Sequence, residues 1–556
     1  MGQTVGSDRQ RVAIVTGGGA GIGAAVAEEL GRTGTFVVTM DPLVSVDGAE
    51  QLAKPEETTA GRISAAGGSS RASSVSVTDR DEVRRLFAEI ADEFGGLDAV
   101  VNVAGISRPT SFARGTDEDW RSVLSVHLDG YRNALDAALP IMAAASRGHV
   151  LGVTSGSGWR AADTGAYGCA KRAVASLTWQ LGRHAPPGVI VNAMSPIAMT
   201  RMVTNALKGR RRPSAKASES AATGGLSLGS MPAPAELGPF AAHLVTAGFS
   251  ACCGQVLFTA GSEVAVIDEP RLLEMFGIDA FALAGALEVL TPGALVAAEA
   301  HQESGGGSNA RFAALLDGST DRAVPPPEVR NCAVVADGSG VADACVAALE
   351  ARGVTCLRVP GGLATGFVEA AEALASLDGS ETEIDCVVIA PSGAPPVVDV
   401  GSEWERILAE HAGIVDAIHT DAAWSRAVAD LAGHNQRAIR MVTLTDANSA
   451  AGRSRAQVSA QLARAARGAT EERVTAFSVS IEDAGAGDGR AVGELAAHLL
   501  ASPETTPLSG AELVVKAGSI GLRSHPRVNA SLVIGGGAVP EWLDGALTDI
   551  IGPGGF

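Results

Sequence analysis

Apolar blocks alternate with helix-length segments along the first half of the chain. The stretch "RVAIVTGGGAGIGAAVAEELGRTGTFVVTMD" (residues 11–41) predicts an apolar strand, a glycine turn, a helix with one small and apolar face, and a second strand that ends at Asp41. Further apolar runs follow at "LDAVVNVAG", "GHVLGVTS" and "GVIVNAMSP". Strands that alternate with helices predict an α/β fold with a parallel, doubly wound sheet.

The same order of blocks returns in the second half. The stretch "NCAVVADGSGVADACVAALEARGVTCLRV" from Asn331 resembles the first strand, turn, helix and strand, and both halves close on an AAHL string followed by an AGS string. A duplicated unit explains this self-similarity. We predict a catalytic unit at 1–270, a helical connector and linker at 271–329, a degenerate second unit at 330–530 and a C-terminal tail at 531–556.

Bulk composition narrows the class of protein. The 556 residues exceed what one hydrophobic core supports. The net charge of -19 argues against binding to nucleic acid or to an anionic membrane. The chain has no apolar run of the ~18 residues that a membrane helix needs, its first residues lack the apolar core of a signal peptide, and its seven cysteines show no CxxC spacing. We expect a cytoplasmic protein with free thiols and without a metal site.

The glycine turn carries the first candidate chemistry. "TGGGAGIG", from Thr16 to Gly23, lies between a predicted strand and a helix, where backbone N–H groups can approach a pyrophosphate. Asp41 ends the next strand, the place expected for a carboxylate that binds the adenosine ribose and repels a 2′-phosphate. These residues favour NAD over NADP; the alternative is that Asp41 only caps the turn beside Pro42.

Four motifs stand in a fixed order in this half of the chain. They are the glycine turn, "NVAG" at Asn102–Gly105, Ser155, and "YGCAK" at Tyr167–Lys171. In this set the sequence resembles the short-chain dehydrogenase/reductase family over about residues 10–270. The second unit resembles the family in outline only.

The resemblance implies a role for each motif. It implies that Tyr167 is the general acid/base, that Lys171 lowers the pKa of the phenol and holds the cofactor ribose, and that Ser155 binds the substrate oxygen. Tyr and Lys four residues apart share a helix face, and a nearby cation favours the phenolate. The residues expected to contact NAD are Thr16, Gly17, Gly19, Gly21, Ile22, Gly23, Asp41, Asn102, Ala104, Gly105, Tyr167, Lys171, Pro196 and Thr200.

The chain departs from the family pattern at three places. Ser155 precedes Tyr167 by one residue fewer than is usual, so Thr154 could supply the hydroxyl instead. His127 stands where many members have the asparagine of a proton relay, and it either conducts protons as a fourth catalytic residue or packs as a core histidine. The usual Pro-Gly is Pro196-Ile197 here, while Thr200 keeps the position that binds the nicotinamide carboxamide.

The segment after Thr200, to about Gly229, corresponds to the variable substrate lid of the family. It contains a basic cluster of Lys208, Arg210, Arg211 and Arg212. Such a cluster is either a solvated loop or an attractor for a phosphate-bearing ligand such as a CoA thioester.

The second unit lacks the catalytic pattern. It has no tyrosine, Lys516 is its only lysine, and Ala336 and Ala342 replace the threonine and the third glycine of the turn. The same catalysis is therefore excluded there. Because family members associate through two long helices per subunit, the resemblance implies that the second unit covers that face as a pseudo-dimer within one chain. Two chains would then form a homodimer with four such units.

The whole pattern predicts an NAD-dependent oxidoreductase that interconverts a secondary alcohol and a ketone. "SVHLDGYRNALDAALPIM" is similar to the dehydrogenase units of multifunctional enzymes that handle 3-hydroxyacyl-CoA, which favours a 3-hydroxyacyl thioester as substrate. Two alternatives stay open. One is an epimerase or dehydratase of the same fold with tightly bound NAD, and the other is a non-catalytic assembly protein of a biosynthetic complex.

Overall fold

A computed structural model of the chain describes residues 9–53, 55–159, 165–208, 232–277, 328–336, 338, 340–362, 365–379, 382–390, 401–482 and 488–552. Seventeen β-strands lie in the two large sheets of this described part. The strands up to residue 277 are β1 (Val12–Thr16), β2 (Phe36–Met40), β3 (Ser70–Ser73), β4 (Ala99–Asn102), β5 (Gly148–Val153), β6 (Val189–Pro196), β7 (Val256–Thr259), β8 (Glu263–Asp268) and β9 (Leu272–Gly277). The later strands are β10 (Asn331–Ala336), β11 (Thr355–Pro360), β12 (Cys386–Ala390), β13 (Ile439–Asp446), β14 (Val474–Glu482), β15 (Glu512–Lys516), β16 (Ser519–Arg523) and β17 (Arg527–Val533).

Helices connect the parallel strands of both units. In the first unit they are α1 (Gly21–Arg32), α2 (Thr59–Ala65), α3 (Arg80–Phe94), α4 (Asp117–Leu124), α5 (Gly130–Ala145), α6 (Gly165–Arg183), α7 (Arg201–Lys208) and α8 (Gly238–His243). In the remainder they are α9 (Gly340–Glu350), α10 (Phe367–Leu377), α11 (Glu403–Glu410), α12 (Ile414–Asn435), α13 (Ala450–Ala469), α14 (Asp488–Ala501) and α15 (Leu543–Ile551). No helix in the described ranges combines the length and the apolar character that a membrane span requires.

Both sheets have the doubly wound order that the sequence predicts. The first sheet runs β17-β8-β7-β6-β5-β4-β1-β2-β3, and the second runs β11-β10-β12-β13-β14-β15-β16-β9. The strands from β1 to β7 pair in parallel, because each crossover passes through a helix. The α/β fold class and the second, Rossmann-like unit are confirmed.

The two units exchange their last strands. Strand β9 follows the first unit in sequence but pairs antiparallel with β16 of the second sheet. Strand β17 follows the second unit but pairs antiparallel with β8 of the first sheet. Residues 272–277 are therefore strand where the sequence suggested a helical connector, and β17 with α15 occupies the region assigned to the end of the second unit and its tail. The remaining domain boundaries stay predictions.

Helix α15 completes the core of the first unit. Leu543 and Leu547 are buried in the apolar cluster formed with β8 and α1. His243 Nε2 lies 2.6 Å from Asp544 Oδ1, which ties α8 to this C-terminal helix. The first unit is thus closed by residues from the far end of the chain.

Long helices of the two units pack against each other. Helix α6 lies against α13, and almost all of its residues are buried because the first sheet covers its other side. Ser454 Oγ donates to Ser176 Oγ at 2.9 Å, and Gln180 Nε2 donates to the Ala450 carbonyl at 3.1 Å. One continuous cluster of buried apolar side chains spans both units through these helices. The intrachain pseudo-dimer packing expected from the sequence is therefore present.

Candidate active site

The carboxyl ends of the central strands of the first sheet bring the predicted motifs together. Strand β1 pairs with β4, β4 with β5, and β5 with β6, all in parallel. The glycine turn, the NVAG segment, Ser155 and Pro196 stand at or just after the ends of these strands, at the same edge of the sheet. Ligands of doubly wound sheets bind in the crevice at this edge.

The glycine turn is shaped by close backbone contacts. Gly17 and Gly21 have φ angles of +65° and +58°, which favour glycine. A Cβ on Gly17 would lie 2.8 Å from Ala104 Cα, and one on Gly23 would overlap the Gly17 carbonyl oxygen. The turn therefore has room only for backbone, and it leaves the start of α1 open to a ligand.

Thr16 and Asn102 lock the turn to the neighbouring strand. Thr16 Oγ1 donates to Asn102 Oδ1 at 2.9 Å and accepts a hydrogen bond from the Ala104 amide at 3.2 Å. Thr16 and Asn102 are both buried. Their role in this structure is to fix the crevice floor beneath the backbone of the turn.

Asp41 is fixed beside the glycine turn. Its Oδ2 accepts from the Gly19 amide at 2.9 Å, and its Oδ1 accepts from the Leu43 amide at 2.8 Å. The hydrogen bond from Leu43 is the capping of the turn beside Pro42 that the sequence left open as the alternative role of Asp41. The hydrogen bond from Gly19 is a second contact, to a residue far away in sequence. The carboxylate thus stands at the end of β2 within the crevice, where it can also meet ribose hydroxyls.

Helix α6 places Tyr167 and Lys171 on one face. Tyr167 is half-buried, Lys171 is 3% exposed, and the amine Nζ lies 5.7 Å from the centroid of the phenol ring. Nζ donates to the Val153 carbonyl at 2.6 Å, which anchors the amine at the end of β5. Burial lowers the pKa of Lys171 to about 7.

Ser155 is the more exposed of the two adjacent hydroxyl residues, Thr154 and Ser155. The Thr154 side chain is buried, and its Oγ1 donates to the Lys171 carbonyl at 2.6 Å. Ser155 is half-buried, and its Oγ accepts from the Ser157 amide at 3.3 Å, which leaves its proton for another acceptor. The geometry therefore favours Ser155 of the two hydroxyls that the sequence left open.

His127 lies on a π-helical turn, Ser125–Asp129, between α4 and α5. Its Nε2 lies 2.8 Å from the Ile106 carbonyl, so this nitrogen carries the proton and donates it. The ring meets Tyr167 edge-on at 5.1 Å between centroids, and a Cβ on Gly105 would overlap it. Burial and the charge of Lys171 lower the pKa of His127, so it is neutral near pH 7.

The other nitrogen of this ring is a buried acceptor. His127 Nδ1 has no hydrogen-bond partner within the part of the chain that the structure describes. A buried acceptor beside Tyr167 can receive a proton donor from a ligand or from a water molecule. The ring is thus packed in the core beside Tyr167, and a role of His127 in proton conduction stays a prediction.

The segment after β6 approaches the glycine turn. Pro196 ends β6, and a Cβ on Gly21 would lie 3.8 Å from Thr200 Cγ2. Thr200 Oγ1 accepts from the Val203 amide at 3.3 Å and caps α7. Ile22 is half-buried and packs its side chain against the core below the turn. Of the basic cluster, Lys208 ends α7, and Arg210, Arg211 and Arg212 lie outside the described residues.

The second unit does not rebuild this site. Strand β5 and helix α6 are separated by residues 154–164, which include Ser155, whereas β13 and α13 are separated only by 447–449. Helix α13 contains neither tyrosine nor lysine. The segment that carries Ser155, and the tyrosine and lysine of the helix that follows it, are therefore missing from the second unit.

Sequence reasoning missed two residues of the second unit that reach this site. Arg464 of α13 contacts Trp159, in the segment that follows Ser155. His525, which follows β16, contacts Arg172, the residue after Lys171. No local pattern around either residue indicates such a contact, because it arises only when the two units pack.

The sequence of the first unit is similar to known proteins. Residues 11–211 match the family model described as short chain dehydrogenase. A putative short-chain type dehydrogenase/reductase of Mycobacterium tuberculosis is 35% identical over 202 residues, which cover 36% of this chain and 70% of the relative. An uncharacterized oxidoreductase of Staphylococcus saprophyticus is 31% identical over 192 residues, covering 34% of this chain and 78% of the relative.

Two further similarities complete the comparison. A peroxisomal hydratase-dehydrogenase-epimerase of Saccharomyces cerevisiae is 31% identical over 203 residues, which cover 36% of this chain and only 22% of that protein. A crystal structure of a short chain dehydrogenase from Mycobacterium avium covers 50% of this chain and 90% of its own, with 28% identity and a TM-score of 0.39. Each of these three relatives matches roughly a third of the chain.

Proposed function

Because this chain belongs to the short-chain dehydrogenase/reductase family and is an oxidoreductase, we propose that it interconverts a secondary alcohol and a ketone with NAD, using the first unit alone. The observation that carries the proposal is the shared position of Ser155, Tyr167 and Lys171. All three stand at the strand edge that also holds the glycine turn.

The residues present fit a dinucleotide. A turn that a Cβ would fill at Gly17 offers its backbone amides at the start of α1, where a pyrophosphate is stabilised by the helix N-terminus. Asp41 would accept hydrogen bonds from the adenosine ribose, and its charge would oppose a 2′-phosphate. Thr200, Pro196 and the NVAG segment would border the nicotinamide end. When bound, NAD supplies the hydride acceptor.

Tyr167 would move the proton. A free phenol has a pKa of about 10, so it needs help to act as a base near neutral pH. The ammonium form of Lys171, on the same helix face, stabilises the phenolate. Because the pKa of Lys171 itself lies at about 7, both of its forms are populated near neutral pH. Tyr167 would thus accept a proton from a substrate hydroxyl, and return it in the reverse reaction.

Ser155 and His127 would support this transfer. Ser155 Oγ can donate to the substrate oxygen, which orients that oxygen toward the phenol. His127 Nδ1 is a neutral acceptor beside Tyr167, so it can hold a water molecule that replenishes the proton. Neither role requires a residue of the second unit in contact with substrate.

We propose a 3-hydroxyacyl thioester as the substrate class. One relative is named a hydratase-dehydrogenase-epimerase, and the basic cluster at 208–212 would attract the phosphates of a CoA carrier. The homodimer with four units, and the cytoplasmic location, remain predictions.

The test is a panel of secondary alcohols, sterols and 3-hydroxyacyl-CoA thioesters, offered with NAD and separately with NADP while NADH absorbance is followed. We expect NADH formation with at least one thioester and little turnover with NADP. Equal use of NADP would contradict the role given to Asp41. Protein that purifies with stoichiometric nucleotide and forms no net NADH would instead favour the epimerase or dehydratase reading.

A further inference from the structure

The turn that follows Ser155 is held from the second unit. A short 3₁₀ turn, Gly156–Gly158, leads from Ser155 into Trp159. Arg464 of α13 donates from Nη1 to the Trp159 carbonyl at 3.0 Å, and both side chains are buried. Helix α13 thereby contacts the backbone four residues after the predicted substrate-binding hydroxyl.

A second contact reaches the same turn through Arg172. This fully buried residue follows Lys171 on α6 and donates to the Gly158 carbonyl at 3.4 Å. Its Nη2 lies 3.3 Å from Nδ1 of His525, whose Nε2 lies 3.1 Å from the Gly510 carbonyl. The proton of His525 must therefore sit on Nε2, and Nδ1 accepts from Arg172.

The residues around these contacts are closely packed. A Cβ on Gly158 would lie 2.8 Å from the Arg172 amide nitrogen, so the turn rests directly on α6. Gly510 has a φ of +86°, and a Cβ there would lie 2.9 Å from Arg464 Cγ. Gly510 thus packs closely against the aliphatic part of the Arg464 side chain, whose guanidinium reaches Trp159.

We propose that Arg464 is a positioning residue for the first unit, and that the second unit holds the Ser155 turn in its reactive geometry through the Trp159 carbonyl. The proposal rests on the proposed function of Ser155. Arg464 touches no reacting atom and acts through the backbone of the turn. A charged donor on a buried carbonyl makes a stronger hydrogen bond than a neutral one, and its removal leaves that carbonyl without this partner.

The first arm of the test measures hydrogen exchange in the full chain. Arg464→Met keeps most of the side-chain volume and removes the donors, Arg464→Lys restores a cationic donor, and Arg467→Ala is the matched control. Arg467 lies on the same helix but donates hydrogen bonds to the Ser509 carbonyl and the Glu472 carboxylate, both in its own unit. The amides of Gly158 and Trp159 donate to the Ser155 and Gly156 carbonyls, so they report on the turn.

We expect the peptide that spans this turn to exchange about tenfold faster in Arg464→Met, with partial recovery in Arg464→Lys and no change in Arg467→Ala. NADH affinity should be unchanged in all three, because the glycine turn is not touched. Equal exchange in Arg464→Met and wild type would overturn the proposal, as would equal acceleration in Arg467→Ala. If the Met variant does not fold, Arg464→Gln takes its place, because its amide keeps a polar group at the buried site.

The second arm measures turnover on the alcohol that the panel identifies. We expect kcat to fall about tenfold in Arg464→Met while the KM for NAD stays constant, and Arg464→Lys to recover part of the loss. Unchanged kcat alongside faster exchange would show a structural contact without a positioning role. If the panel yields no oxidation at all, the proposed function fails while the exchange arm still decides whether Arg464 holds the turn.

Discussion

The burial of Lys171 makes the stability of the protein depend on pH. The amine of Lys171 is buried and donates a hydrogen bond to the Val153 carbonyl. Burial lowers the pKa of Lys171 to about 7 from an ordinary value near 10.5. Between these two values the unfolded chain binds more protons than the folded chain, so stability from this group rises with pH. In the mechanism that we propose, the buried amine is useful because a cation beside Tyr167 can favour the phenolate.

The lowered pKa of Lys171 predicts that the difference in stability between wild type and Lys171→Met depends on pH. As pH rises from about 6 to about 10, wild type should gain on the order of 4 kcal/mol of unfolding free energy relative to the variant. Urea unfolding of both proteins at each pH measures the difference. A constant difference across this range would mean that Lys171 titrates normally and is not enclosed.

At the scale of the secondary-structure elements, the exchange of β9 and β17 between the two sheets determines whether the first unit can fold when it is expressed alone. Without β17 and α15, strand β8 would expose its outer edge, and the apolar surface that covers Leu543 and Leu547 would face water. Exposed strand edges and apolar patches promote aggregation.

We therefore expect residues 1–270, expressed alone, to be mostly insoluble or to melt well below the full chain. Soluble yield, size-exclusion chromatography and thermal melting compare the two forms. A soluble, well-folded fragment that binds NADH like the full chain would show that β17 and α15 are dispensable.

The sequence predicts where helices and strands form better than it predicts which elements pair or pack with each other. The strand, glycine turn and helix around Thr16–Gly23 follow from apolar blocks and glycine spacing, because both signals are local. The segment Leu272–Gly277 reads as helix since Leu, Glu and Met favour helices, yet pairing with β16 makes it a strand. The π-turn at His127 and the reach of Arg464 likewise depend on packing that no local pattern records.

At the scale of the whole molecule, chemistry and support are divided between two copies of one fold. The first unit has the complete edge from the glycine turn to Tyr167, whereas the second lacks the long segment between strand and helix that carries Ser155, and its helix α13 has no tyrosine. What the second unit keeps is its long helices, which bury α6 and reach the Ser155 turn. A degenerate copy can thus be retained for packing and, as we propose, for support of the Ser155 turn.

The two tyrosines of the chain give the most direct test of the central claim. Tyr131 is fully buried, and its hydroxyl lies 3.1 Å from Thr178 Oγ1, so it is a natural control for Tyr167. The measurement is the rate of NAD reduction at saturating cofactor and alcohol for wild type, Tyr167→Phe and Tyr131→Phe, with NADH affinity determined in parallel. We predict a loss on the order of a hundredfold or more in Tyr167→Phe with NADH affinity retained, and nearly wild-type rates in Tyr131→Phe. A Tyr167→Phe protein that reduces NAD at the wild-type rate would contradict the account.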